Sequence, residues 1–144
     1  MSTIRCILQV KKEGVVTVAP EATVYSALEK MVGNNVGSLL VMDKDRFVGI
    51  ITERDYARKV ILKGKSSRET LVKEIMSEHP VTVTPDTTLE QCMAIMTNRY
   101  IRHLPVLENN NLIGLVSIGD IVKYMIEEQQ FIIENLEQYI TGHQ

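Results

Sequence analysis

The sequence carries Val16-Thr17-Val18-Ala19-Pro20 and, 65 positions later (16 to 81), Val81-Thr82-Val83-Thr84-Pro85. The same offset aligns the chain with itself without a gap from residue 16 to about residue 60, which places Asp55 on Asp120. Self-similarity at one fixed offset indicates a duplicated structural unit. The sequence therefore predicts one unit written twice.

Each copy is predicted to fold as β-α-β-β-α. A short β-branched run that ends at a proline indicates an edge strand, and a threonine N-cap then begins an amphipathic helix. Two strands joined by a polar turn come next, and a second helix closes the copy. In the first copy these elements cover residues 15–18, a helix after Thr23, and residues 38–42, 47–52 and 53–62; in the second they cover residues 81–83, a helix after Thr88, and residues 103–107, 112–117 and 118–125.

The repeat divides the chain into a first unit at residues 1–66, a second at 67–125 and a C-terminal segment at 126–144. A short helical segment is predicted to lead each unit, residues 4–10 for the first and 71–76 for the second. One unit alone buries little apolar surface, so its sheet is expected to be covered by the other unit. The predicted class is therefore α+β, with two packed repeats and an additional helix.

The C-terminal segment is amphipathic. Most helices of this kind bury their apolar face on their own domain, so we expect this one to dock there rather than on a partner protein. The apolar residues of that face are Phe131, Ile132, Leu136, Tyr139 and Ile140.

Composition excludes several classes of function. Of the 144 residues 44% are hydrophobic, and with no Trp and two Phe the core is built from Val, Ile, Leu and Met. The net charge of −2 and the absence of a basic stripe or aromatic platform argue against nucleic-acid or membrane binding. Cys6 and Cys92 alone provide neither a disulfide framework nor a metal site. With no apparent signal peptide or spanning segment, a cytoplasmic location is expected.

Both copies end their last strand on one motif, a glycine, two apolar residues, a hydroxyl and an acid three positions later. The copies read Gly49-Ile50-Ile51-Thr52-Glu53-Arg54-Asp55 and Gly114-Leu115-Val116-Ser117-Ile118-Gly119-Asp120. A hydroxyl at a helix N-terminus can donate to a phosphate, and an acid one turn later can accept from a ribose diol. The same residues are also suited to capping the helix. The glycine at the same offset in both copies favours the ligand-binding interpretation.

Basic residues and a proline lie near the motifs. Arginine is the usual bidentate partner of phosphate, although we expect Lys59 and Lys123 to be ordinary surface charges. Pro105 removes a backbone amide inside a predicted strand and so leaves neighbouring backbone free for another partner. The basic residues are Arg54, Arg58 and Lys59 beside the first motif and Arg99, Arg102 and Lys123 beside the second.

Taken together, the Val-Thr-Val-x-Pro-x-x-Thr openings, the Arg102-His103-Leu104-Pro105-Val106 strand and the doubled motif resemble paired CBS domains. The resemblance covers roughly residues 4–125 and is strongest to small stand-alone bacterial CBS-pair proteins. It implies two repeats packed sheet to sheet about a pseudo-twofold axis, with clefts that bind adenosine-containing ligands. Paired modules of this family commonly form disc-shaped homodimers.

The resemblance also implies roles for individual residues. Asp55 and Asp120 would bind the ribose diol, and Thr52 and Ser117 would meet the phosphate. Arg54 is a further candidate for the phosphate because of its position beside the first motif, not because of the resemblance. Adenine would contact the backbone of Val16, Thr17, Gly37, Ser38, Val81, Thr82, Arg102, His103, Leu104 and Pro105. Because residues 34–40 are neutral and lack the proline of residues 99–105, the two clefts are expected to differ in affinity.

Three functions compete. The first is a regulatory module that binds an adenine nucleotide, AMP or NAD(H) before ATP or S-adenosylmethionine, and acts on a separate effector protein. The second is a nucleotide-acting enzyme, which lacks support because there is no phosphate-binding glycine loop, activated nucleophile or metal-ligand cluster. The third is a dimerisation module whose clefts are vestigial. No catalytic cofactor and no metal are expected.

Overall fold

The computed structural model describes residues 2–11 and 14–141. Helices and strands alternate in two successive sets, as the repeat predicts. The helices are α1 (Ile4–Val10), α2 (Val24–Asn34), α3 (Glu53–Lys59), α4 (Val72–Ile75), α5 (Leu89–Arg99) and α6 (Ile118–Thr141), and a 3₁₀ turn covers Ile61–Lys63. The strands are β1 (Thr17–Val18), β2 (Ser38–Asp43), β3 (Arg46–Thr52), β4 (His103–Glu108) and β5 (Asn111–Ser117). The predicted α+β class is confirmed.

Each copy contains an antiparallel hairpin, β2 with β3 and β4 with β5. The connecting turns place Lys44 in the first copy, and Asn109 and Asn110 in the second, at positive φ. Asparagine tolerates this left-handed conformation well, and two such residues suit the tight turn of a hairpin. Both predicted hairpins are thus confirmed, with each strand a residue or so longer than expected.

The opening strand differs between the copies. In the first, β1 pairs in parallel with β2, and the Leu40 amide donates to the Val16 carbonyl at 3.2 Å. Pro105 occupies the position of Leu40 in the second copy and has no amide to donate. The predicted strand at residues 81–83 is accordingly wrong and is reduced to one bridge between Val83 and Val106.

The helix starts agree with the sequence signals. Thr23 accepts a hydrogen bond from the Ser26 amide, and Thr88 forms a reciprocal capping box with Gln91. Each cap provides partners for backbone groups that the first helical turn leaves free. The N-caps predicted for the first helix of each copy are confirmed.

The leading helices exchange places between the two cores. Ile4 and Ile7 of α1 are buried in the cluster of the second copy, while Val72 and Ile75 of α4 are buried in the cluster of the first. The N-terminal segment, which the sequence places in the first unit, therefore packs on the core of the second. The exchange joins the two copies, because each core is completed by a segment adjacent in sequence to the other.

The last helix of the second copy does not end near residue 125. It continues without a break from Ile118 to Thr141, and its first two turns pack on the second core through the buried Ile121. From residue 126 onward every described residue is exposed, including Phe131, Leu136 and Tyr139. The expectation that this face docks on its own domain is wrong. No helix in the described part of the chain is long and apolar enough to cross a membrane.

Candidate ligand-binding site

The first junction is a complete capping box. The Thr52 hydroxyl accepts from the Asp55 amide at 3.1 Å and donates to Asp55 Oδ2 at 3.1 Å, while the Thr52 amide donates to that same oxygen at 2.9 Å. Lys59 Nζ lies 3.2 Å from the other oxygen, Oδ1. Both carboxylate oxygens of Asp55 therefore have partners within the first copy.

The second junction repeats the cap but leaves more of it free. The Ser117 hydroxyl accepts from the Asp120 amide at 3.1 Å, and the Ser117 amide donates to Asp120 Oδ2 at 2.9 Å. Among the residues that the structure describes, the contacts of the Asp120 carboxylate fall on Oδ2 and leave Oδ1 without a partner, while the Ser117 hydroxyl lies close enough to the carboxylate to lower its pKa. The Asp120 side chain is 27% exposed, compared with 12% for Asp55.

Lys11 lies beside the second junction. Its Nζ is 2.8 Å from Asp120 Oδ2 and also donates to the Leu115 carbonyl at 2.8 Å. Desolvation raises the pKa of the Asp120 carboxyl, but the hydrogen bonds from Lys11 and from the Ser117 backbone outweigh it. The pKa of Asp120 consequently lies below its ordinary value, and the carboxylate is charged at neutral pH.

The glycine of each motif has a packing role. A Cβ on Gly49 would lie 2.6 Å from the Ser77 carbonyl oxygen, and one on Gly114 would lie 2.8 Å from Leu8 Cδ2. In both copies the leading helix or the segment after it crosses the strand at this point. In the first copy the neighbour is backbone, which leaves no room for a side chain, and in the second it is the flexible end of Leu8. In the sequence, the glycine favours ligand binding over helix capping. Its packing role removes that support, because the glycine makes these close contacts whether or not a ligand binds.

The outer edge of the last strand is closed in the first copy and open in the second. Ser77 pairs with Ile50 through two backbone hydrogen bonds. The Ser77 amide donates to the Ile50 carbonyl at 2.9 Å, and the Ile50 amide donates to the Ser77 carbonyl at 3.1 Å. At the equivalent position of the second copy, the Leu115 carbonyl accepts from the Lys11 side chain. A side chain can leave such a position more readily than a paired backbone can.

A cleft of about 490 Å³ lies beside Leu115, between the two copies. This volume falls within the range of small-molecule sites. The first copy lines it with Val15, Val16, Asn34, Val36 and Ser38, the second with Ile113, Gly114 and Leu115, and the N-terminal segment with Leu8, Lys11 and Gly14. A smaller hollow of about 380 Å³ includes Gly37 and Glu53.

Ser38 is the unusual residue of the cleft wall. It is 2% exposed, and its hydroxyl is the buried side-chain oxygen for which no hydrogen-bond partner is found in the described part of the chain. An unpaired buried hydroxyl costs about 1–3 kcal/mol, so such groups are rare without a reason. Ser38 also lines the cleft, although its oxygen itself is covered by the wall.

His103 occupies in the second copy the position of Ser38 in the first. Its Cε1 lies 3.9 Å from where a Cβ on Gly37 would be, which places it at the junction of the copies. Burial lowers the pKa of its imidazole; Lys11 and Arg102 lower it further, and Asp120 opposes them. His103 is therefore neutral at neutral pH and sits near the Asp120 and Lys11 pair.

The structure brings together only some of the residues predicted to bind a ligand. Val16 and Ser38 line the cleft, and Asp120 adjoins it through Lys11 and Leu115. Arg54 instead donates to the carbonyl of Tyr100 across the boundary between the copies, and Asp55 and Thr52 are engaged with each other. The remaining predicted residues lie on β1, on β4 or in the segments just before β2, β4 and Val83, namely Thr17, Gly37, Val81, Thr82, Arg102, Leu104 and Pro105.

The roles of Lys11 and Lys59 at the two junctions are not predicted from the sequence. Lys59 was expected to be a surface charge, but it pairs with Asp55 and donates to the Ile75 carbonyl at 2.8 Å. Lys11 lies outside both motifs and outside the 65-residue repeat. Residues 4–8 correspond to residues 72–76 at an offset of 68, which differs from the 65 of the main repeat. This second alignment would have shown that the end of α1 and the end of α4 are equivalent, and that each contacts one of the two motifs.

A β-α-β-β-α unit and a second unit whose opening strand is reduced to a bridge, joined by exchanged leading helices with a cleft between them, define a tandem-repeat module of the α+β class. A family model described as the CBS domain matches residues 8–62 and again residues 72–127. The chain therefore belongs to the CBS domain family and contains a pair of its repeats.

Similar proteins are also CBS-domain proteins. A solved structure of a CBS-domain protein from Burkholderia ambifaria covers 89% of this chain and 96% of its own, with a TM-score of 0.86 and 46% identity. A mitochondrial CBS domain-containing protein of Arabidopsis thaliana is 44% identical over 125 residues, 83% of this chain and 61% of the plant protein. The chain thus spans less than two thirds of that relative. The CBS domain-containing protein YhcV of Bacillus subtilis is 36% identical over 107 residues, 74% and 76% of the two chains.

Proposed function

We propose that the chain is a regulatory module that binds one adenine nucleotide, AMP or NAD(H), in the cleft lined by Ser38 and Lys11. Binding would shift the two repeats relative to each other and so alter a separate effector protein. The Burkholderia relative, for which a role in signal transduction is proposed, supports the regulatory part of this function. In the same proposal the chain is not an enzyme, acts as a homodimer and works in the cytoplasm.

The buried hydroxyl of Ser38 carries the proposal. It lies in the wall of a ligand-sized cleft and lacks a protein partner among the described residues. A polar ligand group, such as an edge nitrogen of adenine, would satisfy this hydroxyl once the part of the cleft wall that covers it moves, and would occupy the space beside Val16. No other observation distinguishes the cleft from an ordinary gap between repeats as sharply.

The charged end of the nucleotide would lie towards the second junction. The Asp120 oxygen that has no partner in the described part of the chain is suited to a ribose hydroxyl, and the Ser117 hydroxyl is suited to donate to a phosphate oxygen. Lys11 holds Asp120 in the unliganded chain and would turn its ammonium group to the phosphate when the ribose takes its place. An anionic ligand is favoured over a nucleoside for this reason.

A thermal-shift panel tests the proposal with AMP, ADP, ATP, NAD, NADH, S-adenosylmethionine and GTP. A ligand at a hundred times its dissociation constant stabilises a protein by about 2.7 kcal/mol. For a chain of this size that corresponds to a rise of about 5–10 °C in Tm. We expect the rise only with adenine compounds.

The variant Ser38→Ala distinguishes this cleft from other binding positions. Removing an unpaired buried hydroxyl should leave the unliganded Tm unchanged or raise it, while reducing the ligand-induced rise. The matched control is Ser26→Ala, because Ser26 lies outside the cleft lining and donates to the Thr23 carbonyl at 2.9 Å. A full ligand-induced rise in Ser38→Ala would exclude the proposed cleft.

The alternative is a dimerisation module with vestigial clefts. The capping boxes favour it to the extent that they account for Thr52, Asp55, Ser117 and Asp120 without any ligand. A panel in which no nucleotide changes Tm would select this alternative over the sensor.

A further inference from the structure

The second half of α6 is an exposed helix with a large apolar face. From residue 126 to Thr141 every residue is exposed, yet seven of them are large and hydrophobic, namely Ile126, Phe131, Ile132, Ile133, Leu136, Tyr139 and Ile140. Soluble monomers rarely present contiguous apolar surface of this kind without a partner for it. A helix of this length is also marginal in water unless its apolar face is packed.

The exposed face has the spacing of a coiled-coil seam. Val122, Ile126, Gln129, Ile133, Leu136 and Ile140 succeed one another at intervals of four, three, four, three and four residues. Isoleucine occupies all three a positions of this pattern, and Val122, Gln129 and Leu136 occupy the d positions. In an antiparallel pair each a residue packs against a d residue of the other copy, so Ile126 meets Leu136, Ile140 meets Val122 and Ile133 meets Gln129. The seam extends over about 28 Å, from residue 122 to residue 140.

The charged residues beside the seam favour pairing with the same helix of a second copy, running in the antiparallel direction. Lys123 and Glu137 both occupy e positions, one near each end of the seam. When two such helices run antiparallel with Ile126 opposite Leu136 of the other copy, Lys123 lies opposite Glu137 at both ends. In a parallel pair the e positions face the apolar Ile118 and Ile132 instead, so no charge pair forms.

A membrane surface fits this face poorly. Beyond Lys123 the described helix contains four glutamates and no basic residue, namely Glu127, Glu128, Glu134 and Glu137. Helices that lie on anionic membranes carry lysine or arginine on their polar side. The composition around the seam therefore disfavours this occupant.

We propose that the seam of α6 is an interface that binds the same seam of a second copy in antiparallel orientation. The interface lies mostly beyond residue 127, where the match to the family model ends. It is separate from the cleft between the repeats and does not depend on nucleotide binding. An association of CBS repeats with each other would add to it.

Sedimentation equilibrium of the full chain tests the interface. The wild type is expected at twice the chain mass of 16.3 kDa, or a higher multiple if the repeats also pair. Leu136→Glu places a charge in the seam and is expected to halve the mass. Phe131→Glu is the matched control, because Phe131 is 66% exposed and off the seam while Leu136 is 56% exposed on it.

The result that overturns the interface is equal mass for wild type, Phe131→Glu and Leu136→Glu, whether all are monomers or all are dimers. A monomeric wild type that instead floats with phosphatidylcholine vesicles would assign the face to a membrane and overturn the proposal. Both substituted positions are exposed, so retained helical circular dichroism and Tm will show that the fold is intact.

Disulfide trapping tests the orientation. Antiparallel pairing places Ile132 near Ile132 of the other copy, whereas parallel pairing places Ile133 against Ile133. In a Cys6→Ser background, Ile132→Cys is expected to form the covalent dimer faster than Ile133→Cys. Cys92 can remain, because it is buried and burial raises the pKa of its thiol to about 11. Faster trapping through Ile133→Cys would overturn the antiparallel proposal.

Discussion

The two strand-to-helix junctions have the same local structure and different surroundings. At the first, Asp55 caps its helix, pairs with Lys59 and lies beneath a strand edge that Ser77 completes. At the second, Asp120 caps its helix in the same way, but its neighbour at the strand edge is the side chain of Lys11. In the part of the chain that the structure describes, the second junction alone adjoins the cleft that contains Ser38, whose hydroxyl has no hydrogen-bond partner there.

The shared motif specifies a helix cap in both copies, but it does not by itself specify a ligand-binding site. The hydroxyl and the acid satisfy the first-turn amides of their helix in both copies, whether or not a ligand can approach. Access is decided outside the motif, by the residues at the end of α1 in one copy and at the end of α4 in the other. The surroundings of each cap therefore depend on the end of α1 in one copy and on the end of α4 in the other.

The largest expected difference concerns nucleotide affinity in Asp120→Ala and Asp55→Ala. Asp120→Ala removes the free carboxylate oxygen beside the cleft and is expected to weaken binding by about 1.5–3 kcal/mol, the usual range for hydrogen bonds to a charged group. Asp55→Ala is expected to leave the dissociation constant within about twofold. Isothermal titration calorimetry with the nucleotide that gives the largest thermal shift measures both.

The unliganded Tm is the control for this pair. Both substitutions remove an acid from a capping box, so both are expected to destabilise the protein by about 0.5–2 kcal/mol. Comparable stability loss with a difference in affinity would support the asymmetry of the junctions. Equal loss of affinity in the two variants would contradict it.

The next prediction compares the stability cost of an alanine at Gly49, which faces backbone, with the cost at Gly114, which faces a side chain. Gly49→Ala would press a Cβ against the Ser77 carbonyl oxygen, which is fixed by its pairing with Ile50, and is expected to cost about 1–3 kcal/mol. Gly114→Ala would press against the end of Leu8, a flexible side chain that can move, and is expected to cost less than about 1 kcal/mol. Urea denaturation of the two variants measures the difference, and an equal cost would show that both strand edges are equally rigid.

The repeat unit could be predicted from sequence because its signals are local. Threonine caps, a polar turn and a strand that ends in a hydroxyl each determine structure within a few residues. The loss of the strand at residues 81–83 could be deduced from Pro105 only if the pairing partner of residue 105 were already known. The proline and its effect lie more than twenty residues apart in sequence.

The surroundings of the site could not be predicted in the same way. That α1 completes the second core, and that Lys11 reaches Asp120, depends on contacts between segments distant in sequence. The exposure of α6 was missed because an amphipathic pattern reports which residues share a face and not what covers that face. From sequence, the two glycines indicate a binding site, whereas in the structure they make close packing contacts. The sequence could not distinguish these roles, because a glycine looks the same whether a ligand or another part of the chain approaches it.

The smallest expected effect is a pH dependence that only the second copy can show. Its position equivalent to Ser38 is His103, whose pKa is lowered from 6.5 by burial and by Lys11 and Arg102, against the opposing charge of Asp120. The unfolded chain therefore binds more protons than the folded chain just below pH 6.5, and stability falls as pH decreases through that window. The depressed pKa of Asp120 acts separately, below pH 3.8. Urea denaturation between about pH 5 and 8 should show a shallower pH dependence in His103→Gln than in the wild type, and identical slopes would show that His103 is accessible to solvent when folded.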